Sequence, residues 1–307
     1  MTAVIFPGQG SQKTGMSKDF YDNFSIAKET IQEIESSVSL NLKKIIFENE
    51  GNLLDITKYT QLSIFACSLM IFKTLEQQFN LSKSNINTML GHSLGEYSAL
   101  TCSGKLSLDS CSRLLKLRGE LMNDAAGENI TGMAALIGLS SEIVEKLIIQ
   151  NKLNIEIAND NSPIQVVISG EIEEIEKSKI YFDKVGLKKF VKLNVSSAFH
   201  SKFMLNAQEI LNIEIDKMNF MSNDINIVSN YSSKITSDNN EIINSLKNQM
   251  ASRVKWKDSI INLSQNGEDK LIEIGPGKVL SGLVKRIINV FKITSIDSIN
   301  DLNNINI

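Results

Sequence analysis

Short runs of apolar residues alternate along the chain with longer stretches in which apolar positions recur every three or four residues. The first pattern predicts strands buried on both faces, and the second predicts helices with one buried side. Residues 2–6 are the first apolar run. They lead into Pro7-Gly8-Gln9-Gly10-Ser11-Gln12, a Gly-rich turn of the kind that borders a site in α/β folds. The turn has neither the Gly-Lys-Ser/Thr of a P-loop nor the spacing of a dinucleotide fingerprint. Residues 17–47 read as mainly helical, with Lys28, Glu29, Gln32 and Glu33 on a polar face. Residues 56–79 carry Leu62, Phe65, Ala66, Leu69, Phe72 and Leu75, which predicts a long core helix with Asp55 as its cap. Residues 107–124 predict another helix, begun by Ser107 and carrying Arg113 and Arg118.

From Gly127 the pattern changes. A strand over 133–138, a helix over 140–150, strands over 153–158 and 165–169, a helix over 171–184 and a strand over 188–193 give the order β-α-β-β-α-β, that of a ferredoxin-like unit. Asn159-Asp160-Asn161-Ser162-Pro163 reads as the turn between its middle strands. Afterwards the alternation resumes, with a helix to about residue 218, a strand at 225–229 and a helix near 240–250 carrying Gln249. A strand at 270–274 runs into Gly275-Pro276-Gly277 and a helix to Ile287, and a last strand lies at 292–296. The expected architecture is α/β: a mostly parallel sheet domain from residues 1–126 and 196–307, with a small βαββαβ subdomain inserted at 127–195.

The chemistry concentrates at Gly91-His92-Ser93-Leu94-Gly95, which follows the apolar Met89-Leu90 and precedes a helix-prone run. Gly-x-Ser-x-Gly between a strand and a helix places a serine on a sharp turn at the sheet edge, where the helix start offers N–H groups to an oxyanion. Serine is a weak nucleophile until a base takes its proton. The chain has two histidines. His92 is next to Ser93 on a turn that sends neighbouring side chains apart, so the expected base is His200. Position alone leaves a core histidine equally open for His200. Asp109, Asp124, Asp160 and Asp183 lie between Ser93 and His200, and none stands in a distinctive setting. Both a triad and a dyad oriented by a carbonyl therefore remain open.

Composition narrows the class. A net charge of −3 over 307 residues points to neither nucleic acid nor an anionic membrane surface. No run reaches the length of a membrane span and the N-terminus does not read as a secretion signal. Cys67, Cys102 and Cys111 form no C-x-x-C pair and read as free thiols in a reducing, cytoplasmic compartment. No His/Cys/Asp group has metal-ligand spacing, and nothing in the pattern suggests more than a monomer.

Six motifs, in order, carry a resemblance that covers essentially the whole chain: Phe6-Pro7-Gly8-Gln9-Gly10-Ser11-Gln12, Gly91 to Leu100, Leu117-Arg118-Gly119, Asn161 to Gly170, Ala198-Phe199-His200-Ser201 and Glu273-Ile274-Gly275-Pro276-Gly277. The chain resembles the bacterial malonyl-CoA:acyl-carrier-protein transacylases of type II fatty acid synthesis. That resemblance implies a hydrolase-like α/β domain with a ferredoxin-like insert, Ser93 as nucleophile and His200 as its base. It implies that the main-chain carbonyl of Gln249, seven residues before Trp256, orients His200. It further implies an oxyanion hole from the N–H groups of Gln9 and Leu94, and Arg118 as partner of the malonyl carboxylate. Phe199, Asn161 and Asn230 fall at substrate-binding positions. The segment from Met250 to Lys255 departs from the Asn-Pro-Val of many relatives. The implied partners are malonyl-CoA, CoA and holo acyl carrier protein, with no cofactor. A serine hydrolase and a non-catalytic carrier-binding scaffold are the competing readings. A polyketide acyltransferase would share the chemistry.

Overall fold

The computed structural model describes residues 1–125 and 130–304. In chain order its strands are β1 (Thr2–Phe6), β2 (Thr88–Gly91), β3 (Thr131–Ile137), β4 (Ile155–Ser162), β5 (Gln165–Glu171), β6 (Lys189–Lys192), β7 (Asn226–Val228), β8 (Ile235–Thr236), β9 (Lys270–Ile274) and β10 (Lys292–Ile296). The helices are α1 (Lys18–Asn23), α2 (Ser25–Val38), α3 (Thr57–Gln78), α4 (Gly95–Cys102), α5 (Leu108–Asp124), α6 (Ser141–Asn151), α7 (Ile172–Asp183), α8 (Leu205–Ile215), α9 (Asn239–Lys247), α10 (Trp256–Gln265) and α11 (Val279–Ile287).

Both ends of the chain build one six-stranded sheet, ordered β10-β9-β1-β2-β7-β8, parallel throughout except for the short β8 at its edge. The central strands β1 and β2 are apolar after their first threonines because helices cover both faces. Val4, Phe6 and Met89 pack towards α3, while Ala3, Ile5 and Leu90 pack towards α10 and α11. α3 is buried on nearly every side, which suits its weak amphipathicity. Asp55 does not cap it. A 3₁₀ turn, Glu50–Asp55, leaves the Asp55 side chain in solvent, and Ile56 takes the cap position without a side-chain bond. Ser107 does cap α5, its hydroxyl accepting the Ser110 N–H.

The second sheet is antiparallel, ordered β4-β5-β3-β6, with α6 and α7 as its crossovers and a core of its own around Leu136, Ile168 and Phe182. The expected domain boundary at 126/127 lies outside the described residues. The expected turn over 159–163 is overturned: β4 runs on to Ser162, with two register shifts, and only Pro163 and Ile164 remain to turn. The cause is tertiary. The main-chain groups of Ala158 and Asp160 pair with Val254, so turn-prone residues are held extended by pairing on both sides of the strand. Two elements outside the expected set, β8 and α10, complete the main sheet's surroundings. The predicted helix near 240–250 ends earlier, at Lys247, so Gln249 lies beyond it.

Candidate active site

β2 ends at Gly91 and α4 begins at Gly95, so the turn between them is as short as the spacing demanded. A Cβ on Gly91 would lie 2.0 Å from the Gly95 carbonyl carbon, and one on Gly95 would lie 2.3 Å from the Phe6 oxygen. Only glycine lets these backbones meet. Ser93 is held at φ 52°, a left-handed conformation that costs a non-glycine residue stability and is maintained by its neighbours. Asn230 is one of them: its Oδ1 accepts the Ser93 N–H at 2.6 Å and its Nδ2 donates to the Gly91 carbonyl at 2.7 Å.

His200 also has a left-handed backbone, at φ 55°. Its Nε2 lies 2.9 Å from Ser93 Oγ. Its Nδ1 lies 3.1 Å from the carbonyl oxygens of both Gln249 and Ser252. Two carbonyl acceptors on Nδ1 require the proton there, which leaves Nε2 as a bare acceptor for the serine hydroxyl. Among the described residues no carboxylate orients the ring: Asp109 binds Arg113, Asp160 binds Lys257 and Ser141, Asp183 binds Lys179, and Asp124 accepts from Asn123. The triad alternative is therefore set aside. Gln249 can serve because α9 has already ended and its carbonyl receives only a long main-chain bond, from the Ser252 N–H at 3.4 Å. Burial, and then the nearby Arg118 charge, push His200 down to about 3, so the imidazole is neutral over the physiological range.

Arg118 comes from α5 and is fully buried. Its guanidinium donates to Gln61 Oε1 at 2.5 Å, to Gln249 Oε1 at 2.9 Å and to Ser93 Oγ at 3.0 Å, and it lies over the Tyr97 ring at 5.2 Å. Its Nε is buried with no partner. A buried cation with spare donors beside a nucleophile is an arrangement made to receive an anion.

A cavity of about 260 Å³ opens over Ser93 and His200, with Gln9, Leu94 and Phe199 in its wall. A second, of about 200 Å³, shares Gln9 and His92 and reaches Asn161 and Gln165. Asn161 Oδ1 meets His92 Nε2 at 2.8 Å, and the His92 ring lies against Trp256. His92 thus points away from Ser93 Oγ. Asn230 is a correction to the expected substrate contacts. It is buried beneath the nucleophile turn with its amide committed to backbone groups, and it is not among the residues of either cavity wall. Gln61, Glu96 and Ser252 belong to the site and were not anticipated. Gln61 carried a weak signal as a carboxamide within the apolar run of α3. The three cysteines are buried free thiols, with Cys67 and Cys111 pushed up to about 12 by desolvation. Among the described residues no metal-holding cluster is present and no helix is long and apolar enough to cross a membrane.

The chain belongs to the acyl transferase domain family, whose sequence model spans residues 3–299. It is 33% identical to the malonyl CoA-acyl carrier protein transacylase of Haemophilus influenzae, over 98% of this chain and 96% of that one. The crystal structure of acyl-carrier-protein-S-malonyltransferase from Bartonella henselae matches with a TM-score of 0.93 at 36% identity, covering 99% of this chain and 97% of the other. A malonyl-transacylase solved in complex with its type II polyketide acyl-carrier protein matches with a TM-score of 0.93 at 32% identity, covering 99% and 98%. The parallel sheet and the second, antiparallel sheet described above are therefore the architecture of this family.

Proposed function

We propose that the chain transfers the malonyl group from malonyl-CoA to the phosphopantetheine thiol of an acyl carrier protein, for fatty acid synthesis, through an ester on Ser93. The observation that carries the reading is Arg118: a fully buried guanidinium 3.0 Å from the nucleophile, with an unpartnered Nε. The malonyl carboxylate supplies the anion that such a group lacks, and a planar fork binds it through paired charge-assisted bonds.

In the first half-reaction Ser93 Oγ attacks the thioester carbonyl as His200 Nε2 takes its proton. The carbonyl oxygen becomes an oxyanion held by the N–H groups of Gln9 and Leu94. The C–S bond then breaks, and the imidazolium returns the proton to the CoA sulfur. In the second half-reaction the carrier thiol gives its proton to His200 and attacks the ester. Ser93 leaves and recovers a proton from the imidazolium. The Gln249 and Ser252 carbonyls hold the Nδ1 proton in place throughout. Carboxylate binding to Arg118 also offsets the charge that depresses His200, so the correct acyl group strengthens its own base.

We read residues 127–195 as a ferredoxin-like insert between the halves of a hydrolase-like domain (1–126 and 196–307). The cavity at Asn161 and Gln165 suits the polar pantetheine arm. Phe199 in the wall leaves little room for an α-methyl group, worth about 1–3 kcal/mol of discrimination. We read the chain as acting as a monomer.

Intact mass spectrometry tests the reading. The expected result is a malonyl adduct on the wild type, none on Ser93→Ala, and transfer of the adduct to added holo carrier protein. Free malonate accumulating without transfer would instead mark a hydrolase. The absence of both adduct and turnover would mark a scaffold.

Carrier proteins are acidic, so a basic rim should steer their docking. Of the basic residues that flank the site residues in sequence, Lys192 and Arg253 are already paired with Glu176 and Glu145, and Lys202 bonds to Asn154. Lys188, Lys189 and Lys255 have no carboxylate partner among the described residues. Changing Lys188, Lys189 and Lys255 together to glutamate should raise the KM for carrier protein about tenfold and leave that for malonyl-CoA little changed. Equal effects on both would remove the rim from the account.

A further inference from the structure

One buried acid beneath Ser93 has no part in the mechanism above. Glu96, in the first turn of α4, is fully buried. Its Oε2 accepts the Gln249 Nε2–H at 2.8 Å and the Asn230 N–H at 3.1 Å, while its Oε1 is buried without a partner. Those two partners are the ones that hold the nucleophile. Gln249 Nε2 also donates to the Ser93 carbonyl at 3.0 Å, and Asn230 Oδ1 accepts the Ser93 N–H. One carboxylate oxygen therefore anchors the Gln249 side chain and the Asn230 main chain, the two residues that keep Ser93 in its left-handed turn. The same Gln249 carboxamide accepts from Arg118 through Oε1, so a single amide group separates carboxylate from guanidinium.

The charges facing Glu96 are few. Arg118 approaches from α5, and Tyr97 is its neighbour on α4. His200 and His92 lie across the nucleophile turn, and burial holds both below the ordinary histidine range. Asn230 and Gln249, from the segments after β7 and α9, are neutral. With the pocket empty, Glu96 is the only acid available to balance Arg118 among these neighbours. A malonyl carboxylate on Arg118 would put two buried anions against one cation, an arrangement relieved by protonating one of the acids.

We propose that Glu96 is a specificity-determining positioning residue that balances Arg118 while the acyl pocket holds no acid and takes up a proton from solvent when the acyl group's carboxylate arrives. This rests on Arg118 as the carboxylate's partner. Burial pushes Glu96 up to about 7, so near neutral pH either protonation state is within reach. The sign follows from linkage. Malonyl binding favours protonated Glu96, so malonyl preference is greatest below about pH 7 and declines as the pH rises through that value. An acetyl group brings no charge and shows no such decline.

The test compares single-turnover ester formation on Ser93 from malonyl-CoA and acetyl-CoA between about pH 6 and about pH 8.5. Titrations of His200 and of the CoA thiol are common to both donors and cancel in the ratio. The malonyl/acetyl ratio should fall about fivefold or more in the wild type. It should stay flat in Glu96→Gln, which keeps a carbonyl oxygen for the two donors and removes the charge. A measurement independent of any variant is proton uptake by the wild type, read with an indicator dye in weak buffer at about pH 7.5: malonyl-CoA should draw more protons than acetyl-CoA, approaching one per ester. A flat wild-type ratio with no extra proton overturns the role of Glu96, while a malonyl preference that is lost in Arg118→Ala keeps the reading of Arg118. No malonyl preference at any pH overturns both.

Discussion

His200→Ala forms the Ser93 ester about 10³–10⁴-fold more slowly than the wild type. The expectation follows from the contacts of the ring. Nε2 is 2.9 Å from Ser93 Oγ, and Nδ1 is pinned by the Gln249 and Ser252 carbonyls, so the base is held in one tautomer and one orientation. Among the described residues no carboxylate or second histidine reaches the hydroxyl to replace it. Removing the base leaves a serine still bonded by Arg118, whose charge lowers the hydroxyl's proton affinity only weakly. The residual rate then reflects binding and the oxyanion site alone. Rapid-quench mass spectrometry with malonyl-CoA checks it, with circular dichroism to confirm that the variants fold. A His200→Ala enzyme within tenfold of the wild type would show that something else takes the proton.

Arg118→Ala lowers kcat/KM for malonyl-CoA by about 10²–10³-fold and brings acetyl-CoA close to it. The size is that of a buried charge pair losing one member, about 3–5 kcal/mol. Arg118→Lys should recover little, because an ammonium cannot reproduce the fork that now reaches Gln61, Gln249 and Ser93 at once. The guanidinium is also one of the causes depressing His200. Its removal therefore leaves a more basic imidazole, and acetyl transfer should hold or rise while malonyl transfer falls. Parallel losses for both donors would mean that Arg118 serves the packing of the site rather than the reading of the acyl group.

The parts of this site differ in how far they could be read from the chain. The nucleophile turn was legible because its constraint is local: Gly91 and Gly95 must lack side chains for two backbones to touch, and that requirement shows as spacing. His200 was legible by elimination, since only two histidines exist. Arg118 was identified through resemblance, although α5 holds a physical clue. Cys111, Leu115, Arg118 and Met122 recur at helical spacing on its buried face, and an arginine in such a row needs a reason to be there. Asn230 falls at the substrate only by resemblance. Its true partners are backbone groups far away in sequence. Glu96 carries no signal along the chain, since a carboxylate in the first turn of a helix is ordinary there, and only packing shows it to be buried.

By itself the sequence determined the alternation of strands and helices and the Gly91–Gly95 turn that carries Ser93, because each depends on residues close together along the chain. Tertiary structure alone decided that Asn159 to Ser162 are strand and not turn, that two main-chain carbonyls orient His200, and that Asn230 and Gln249 clamp Ser93 from below with Glu96 beneath them. These outcomes depend on hydrogen-bond partners up to 156 residues apart. Local preference carries no record of them, since a buried polar group takes whichever partner the folded chain brings within reach.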